Sequence, residues 1–139
     1  MSLRIFLGAR LFDGSTLRDG LAVLAEAGTV TGIVAADSVI EAPAGSITQL
    51  RGGILAPAFL DLQVNGGAGL MVDEATDPGD LRRICATHLA LGCAGVLPTL
   101  ITATPQATAQ VIDAGIAAAM AQVPGFLGLH LEGPHLDPR

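Results

Sequence analysis

Apolar positions change their period along this chain, and the change divides it. Over residues 3–55 the apolar runs are short and separated by glycine-rich turns, the pattern of small strands. Leu3 to Leu7 is followed by the turn pair Asp13-Gly14. Leu21 to Ala25 and Val30 to Val34 flank Glu26-Ala27-Gly28-Thr29, which predicts a hairpin. Val39 to Ala42 and Ile47 to Leu50 flank Pro43-Ala44-Gly45 and read as two further strands. No ionisable groups pair in this stretch by spacing, so it reads as a structural β-domain.

After Gly52-Gly53 the pattern is different. Ile54 to Val64 reads as an apolar strand interrupted by Pro57. Period-2 alternation puts Asp61, Gln63 and Asn65 on one face and Leu60, Leu62 and Val64 on the other. The glycines Gly66, Gly67 and Gly69 then form a loop, or let backbone approach something closely. Asp77-Pro78 starts a helix whose stripe is Leu81, Ile84, Cys85, His88 and Leu89, ending at Gly92. His88, on that stripe, reads as a packed or hydrogen-bonded structural histidine. Ala94 to Thr102 is a second strand. Thr104-Pro105 opens a second helix to about Gln122, with Ile112, Ile116, Met120 and Val123 as its main stripe. After Pro124-Gly125, Phe126 to Leu131 is a third strand.

Strands alternating with helices mean right-handed crossovers and a parallel sheet. An open doubly wound sheet and a (β/α)8 barrel both fit. No G-x-G-x-x-G opens the first helix, which disfavours a nucleotide-binding open sheet. Polar residues at the ends of the first and third strands favour a barrel mouth. The expected fold class is α/β: a small β-domain over residues 1–53, then over 54–139 the first three β/α units of a TIM-type (β/α)8 barrel, incomplete in this chain.

Composition removes several function classes. The 139 residues are half hydrophobic, with a formal net charge of -6. Lysine is absent and the arginines are scattered, so no basic patch for nucleic acid or anionic membrane exists. Gly, Pro and charged residues interrupt every apolar run well before a membrane span of about 20 residues. The N-terminus does not read as a signal peptide. Cys85 and Cys93 form no C-x-x-C pattern and read as reduced thiols of a cytoplasmic protein.

The chemistry concentrates at His130-Leu131-Glu132-Gly133-Pro134. A carboxylate at the end of a buried strand is costly unless a cation, a donor or a metal meets it. Glu132 therefore reads as a metal ligand, with a structural carboxylate held by N–H groups as the alternative. His130 shares its face one layer deeper, where a hydrogen-bonding role is favoured over direct ligation.

Three segments carry a resemblance: Asp61-Leu62-Gln63-Val64-Asn65-Gly66, Leu97-Pro98-Thr99-Leu100-Ile101-Thr102, and His130 to Pro134. With Leu55-Ala56-Pro57-Ala58-Phe59-Leu60-Asp61 leading into them, the chain resembles the amidohydrolase superfamily. Within it the chain is similar to the N-terminal portion of the N-acetylglucosamine-6-phosphate deacetylase family. The resemblance implies that residues 1–53 belong to a small β-sandwich beside a distorted barrel. It implies hydrolysis of the N-acetyl group of an amino-sugar phosphate to acetate and the amine. The cofactor implied is one divalent metal ion, zinc or a similar ion such as iron or manganese, with Glu132 as direct ligand. Gln63 then lies near the metal and its water, Asn65 shapes the site, and Asp61 braces the strand end. Most of the superfamily carries His-x-His where this chain has Gln63 and Asn65, and amides bind a divalent ion weakly. Two histidine ligands, an aspartate acid/base and the phosphate contacts are expected on later strands. His135 and Arg139 could line the entrance or sit in an exposed loop. The expected partner is a small-molecule amino-sugar phosphate, without nucleic acid or membrane, in a homodimer of the full-length protein. Three β/α units cannot close a barrel and one carboxylate cannot hold a catalytic metal, so the 139-residue chain alone is expected to be inactive. Another amidohydrolase activity, or a non-catalytic binding protein with this fold, are the competing readings.

Overall fold

The structure, a computed structural model, describes residues 3–39, 41–43 and 45–134. They form two compact units that divide between Pro57 and Ala58.

The first unit contains β1 (Leu3–Leu7), β2 (Arg10–Phe12), β3 (Leu17–Arg18), β4 (Leu21–Glu26), β5 (Thr29–Ala35), β6 (Ile47–Gln49) and β7 (Ile54–Leu55). One sheet has the order β5-β4-β1-β6, and β3-β2-β7 form another. The predicted hairpin is β4–β5, paired from Leu21↔Ala35 to Glu26↔Thr29. Its two turn residues, Ala27 and Gly28, both have positive φ, which matches the right-handed twist of the flanking strands. The core is built on Ile5, Ala22 and Val39.

Two sequence expectations change in this unit. The strand predicted over Val39 to Ala42 does not form among the described residues. Val39 ends a 3-10 turn over Ala36–Val39, with the Ser38 hydroxyl donating to the Ala35 carbonyl, and the Ala42 N–H donates to the Val39 carbonyl. Ile40 lies outside the described residues. The Ser38 hydroxyl gives the backbone a local hydrogen bond that competes with a ladder, while Val39 still reaches the core. Ionisable groups also pair here: Asp13 accepts from the Ser15 and Thr16 N–H groups and from Arg18, and Arg10 faces Asp19. The Thr16 and Ser15 N–H groups hold the Asp13 carboxyl well below the usual carboxylate range. All of this is surface turn chemistry.

The second unit contains β8 (Phe59–Val64), the short hairpin β9 (Gly66–Gly67) and β10 (Leu70–Met71), α1 (Pro78–Ala90), β11 (Cys93–Leu100), α2 (Pro105–Met120) and β12 (His130–Leu131). The three longer-range strands form a parallel sheet of order β12-β11-β8. Ile54 to Val64 is thus two strands, not one. β7 pairs with β2 and β8 pairs with β11, because Pro57 removes a donor and breaks the ladder between them. The third strand is also shorter than expected. Phe126 makes a single bridge to Val96, and regular pairing resumes only at His130.

Both helices start as the sequence implies. Asp77 accepts the Asp80 N–H at 2.8 Å and Asp80 accepts the Asp77 N–H at 3.1 Å, a reciprocal box at the first turn of α1. The Asp77 N–H, helped by Arg83, lowers the Asp80 carboxyl pKa. Thr104 caps α2 through the Ala107 N–H at 3.2 Å. His88 is structural, as expected, with its Nε2 3.0 Å from the Gly66 carbonyl. Cys85 is a buried free thiol and burial pushes its pKa up; Cys93 is free and half-buried.

The face of α2 differs from the expected stripe. Its buried positions are Ala107, Val111, Ala114, Gly115 and Ala118, whereas Ile112, Ile116 and Met120 are 38%, 54% and 81% exposed; of the expected stripe Val123, just past the helix, is buried. Small residues win the contact because they let the helix lie close to the sheet. A Cβ on Gly115 would come within 2.5 Å of Leu129 Cδ1. Leu60 and Leu62, read as the buried face of β8, are also more than 60% exposed, and only Val64 of that face is covered. β8 and β12 are the outer strands of the sheet, and among the described residues nothing pairs with their far edges.

This packing makes an unequal pair of mutants. Val111→Ala is expected to lower stability by about 2 kcal/mol because it opens a void in a closed core. Ile116→Ala should change stability by less than about 0.5 kcal/mol. Urea unfolding followed by circular dichroism checks both values.

Candidate functional site

Parity along the strands sorts the chemistry. On β11, Val96 and Leu100 belong to the core shared with the helices. On β8, Val64 belongs to the same core. Gln63 on β8 and Thr99 on β11 have the opposite parity to Val64 and Leu100, so they lie on the other face of the sheet. Asp61 sits across a register shift, paired with Val96. His130 and Glu132 share that face, since Leu129 packs on the helix side.

On this face the parallel register brings separate segments together. Pro98 pairs with Val64 and Thr99 pairs with His130. The Gln63 side-chain Nε2 donates to Glu132 Oε2 at 3.3 Å, across 69 residues of sequence. Gln63 is exposed and Glu132 half-buried, so the pair stands at the solvent edge of the sheet. Asp61 accepts the Gln63 N–H at 3.2 Å and so holds the backbone that carries the amide. Asn65 lies just past β8, half-buried, with its carbonyl accepting the Val72 N–H at 2.9 Å. Its side-chain amide makes no hydrogen bond among the described residues. His130, half-buried, turns its Nδ1 toward the Thr99 hydroxyl at 3.3 Å.

Glu132 is fixed by its backbone. Its N–H donates to the Leu100 carbonyl at 2.9 Å, and its carbonyl accepts the Thr102 hydroxyl at 3.0 Å. Gly133 then turns with φ +96, and a Cβ there would fall 2.2 Å from Thr102 Oγ1. Only glycine permits both the conformation and the close approach.

Two of these residues were not singled out as functional by sequence reasoning. Thr99 is fully buried and Thr102 holds the carbonyl of Glu132. Their signal was faint: threonines are common in strands, and only the register shows what their hydroxyls meet. His135 and Arg139 lie outside the described residues.

The donor set is partial. Among the described residues no group of three or more His, Cys, Asp or Glu side chains is placed to hold a metal ion. One carboxylate with amide neighbours fits one corner of a metal site, and catalytic zinc takes three protein ligands. No helix among the described residues is long and apolar enough to cross a membrane.

No protein-family model matches the chain. Curated relatives do. The chain is 33% identical over 133 residues to an N-acetylgalactosamine-6-phosphate deacetylase of Shewanella, an alignment covering 94% of this chain and 33% of that protein. It is 35% identical over 97 residues to the human N-acetylglucosamine-6-phosphate deacetylase, covering 62% of this chain and 22% of the human protein. A crystal structure of N-acetylglucosamine-6-phosphate deacetylase from Pasteurella multocida superposes with a TM-score of 0.86 at 26% identity, over 98% of this chain and 35% of that one. The Mycobacterium smegmatis enzyme in complex with N-acetyl-D-glucosamine-6-phosphate shares the fold, with a TM-score of 0.78 at 23% identity, over 99% of this chain and 34% of that one.

By fold and by sequence, then, the chain is related to hydrolases that remove acetyl groups. More narrowly, its homologues are deacetylases of N-acetylated hexosamine 6-phosphates, chiefly N-acetylglucosamine-6-phosphate deacetylase. The chain spans a third or less of the length of these curated relatives.

The geometry around Glu132 yields a test. Gly133→Ala is expected to cost about 2 kcal/mol, from strained φ and a clash with Thr102. Adding Thr102→Ala should recover the clash portion only. The double and single mutants are compared by urea denaturation, and equal loss in both would mean Thr102 does not press on Gly133.

Proposed function

We propose that this chain is the N-terminal portion of a metal-dependent deacetylase that hydrolyses N-acetylglucosamine 6-phosphate to glucosamine 6-phosphate and acetate. The first unit is then the β-sandwich segment, and the second is the first three β/α units of a (β/α)8 barrel. The observation that carries the reading is the contact between Gln63 and Glu132. It gathers the amide motif and the carboxylate motif at one end of a parallel sheet, where barrel enzymes build their sites.

In this reading Glu132 would hold one divalent ion, zinc or a similar metal. Such an ion lowers the pKa of bound water and polarises the amide carbonyl. Gln63 orients the Glu132 carboxylate from one side, and Thr102 and the Leu100 carbonyl fix its backbone from the other. Asp61 keeps the Gln63 backbone in register, and Asn65 shapes the wall beyond it. The remaining ligands, the acid/base and the phosphate contacts would come from polypeptide beyond these residues. The open edges of β8 and β12 and the bare Ile112, Ile116 and Met120 face support that view, since such surfaces are normally covered. The 139-residue chain by itself would be inactive. Free Cys85 and Cys93 fit a reducing, cytoplasmic setting. As in the sequence reading, the full-length protein is proposed to be a homodimer.

A second sugar is favoured by one observation. The relative aligned over 94% of the chain is a deacetylase of the galactosamine isomer. The deciding experiment carries the protein to its natural C-terminus and measures bound metal and acetate released from both N-acetylhexosamine 6-phosphates. Glu132→Gln should lower metal affinity and acetate release, each by about 100-fold. A folded, metal-loaded full-length protein that frees no acetate from either sugar would overturn the assignment.

A further inference from the structure

Thr99 is a fully buried hydroxyl on the face that carries Gln63 and Glu132. Three groups converge on its Oγ1: the Val64 N–H at 3.0 Å, the Leu97 carbonyl at 3.0 Å and His130 Nδ1 at 3.3 Å. A hydroxyl has one hydrogen and two lone pairs. The Val64 N–H can only donate, so it takes one lone pair. The Leu97 carbonyl can only accept, so it takes the hydrogen. The remaining lone pair faces His130 Nδ1, and with the hydroxyl hydrogen already given to Leu97 this contact is a hydrogen bond only if Nδ1 carries the proton.

The local fold explains why a hydroxyl sits there. The β8–β11 ladder shifts register between Val96 and Pro98, and Pro98 has no N–H to offer. At that irregularity the Val64 N–H finds the Thr99 side chain. One side chain thus ties together all three parallel strands just below Gln63 and Glu132.

From this arrangement we infer that Thr99 is a positioning residue that holds His130 in the Nδ1–H tautomer. Its Nε2 is then a bare, Lewis-basic nitrogen on the Glu132 face. Such a nitrogen takes a cation or accepts a hydrogen bond from a bound molecule, whereas the opposite tautomer would present an N–H there. The tautomer stands on the hydrogen-bond geometry alone; its use in deacetylation rests on the function proposed above. His88 supplies an internal contrast. Its Nε2 faces the Gly66 carbonyl, an acceptor only, so neutral His88 must be the Nε2–H form.

The test is a long-range 1H–15N correlation spectrum of the histidine-labelled chain at alkaline pH, where imidazoles are neutral. Signals are assigned by single His→Gln variants. His130 is expected to show a protonated, pyrrole-type Nδ1 and a bare Nε2, with His88 reversed. Thr99→Ser should keep that pattern, and Thr99→Val should lose it for His130 alone. An Nε2–H form of His130 in the unmutated chain would overturn the inference, and so would an unchanged His130 pattern in a folded Thr99→Val. The unmutated spectrum decides the tautomer even if the valine variant does not fold. In the full-length protein, Thr99→Val should reduce acetate release about tenfold and Thr99→Ser should restore most of it. Equal loss in both variants would overturn the positioning role. A full-length protein that releases no acetate would sink the deacetylase reading and leave the tautomer result standing.

Discussion

The second unit depends on the parallel pairing of three strands through β11. That strand lies between β8 and β12, and its helix-facing residues Val96 and Leu100 are buried in the core with α1 and α2. The same pairing decides the opposite face. Once Pro98 opposes Val64 and Thr99 opposes His130, Gln63 must reach Glu132. A one-residue slip of β8 at Val64 would turn Gln63 into the helix layer, and a slip of β12 would do the same to His130 and Glu132. Hydrophobic burial on one side is therefore what pins the chemistry on the other.

The polar face is stabilised by neutral groups. Glu132 meets an amide at 3.3 Å, with its backbone held by a hydroxyl and a carbonyl. Among the described residues, the ion pairs lie elsewhere: Arg10 with Asp19, Arg18 with Asp13, and Arg83 with Asp80. Exposed pairs of that kind contribute little. Glu132 itself is half-buried and has no cationic side-chain partner among the described residues.

The exposed apolar surface follows the same geometry. α2 presents alanines and Val111 to the sheet because close approach favours small side chains, and its isoleucines fall on the outer side. β8 has one helix-covered residue, Val64, and two uncovered leucines. Both features lie at the margins of the sheet.

Much of this was written in the sequence. Local signals set the β4–β5 turn, the caps Asp77 and Thr104, the two helices and the structural role of His88. Alternation around Gln63 and Glu132 marked the polar face, since strand parity is a local property; Asp61 fell on the far side of a register shift that the sequence does not show. Tertiary structure decided the rest. It split Ile54–Val64 between two sheets, because only pairing partners show where a proline ends one ladder and another begins. It turned α2 so that alanines rather than isoleucines are buried, because periodicity cannot say how close a helix must lie. It joined Gln63 to Glu132 and set Thr99 against His130, because contacts spanning 69 and 31 residues exist only through register.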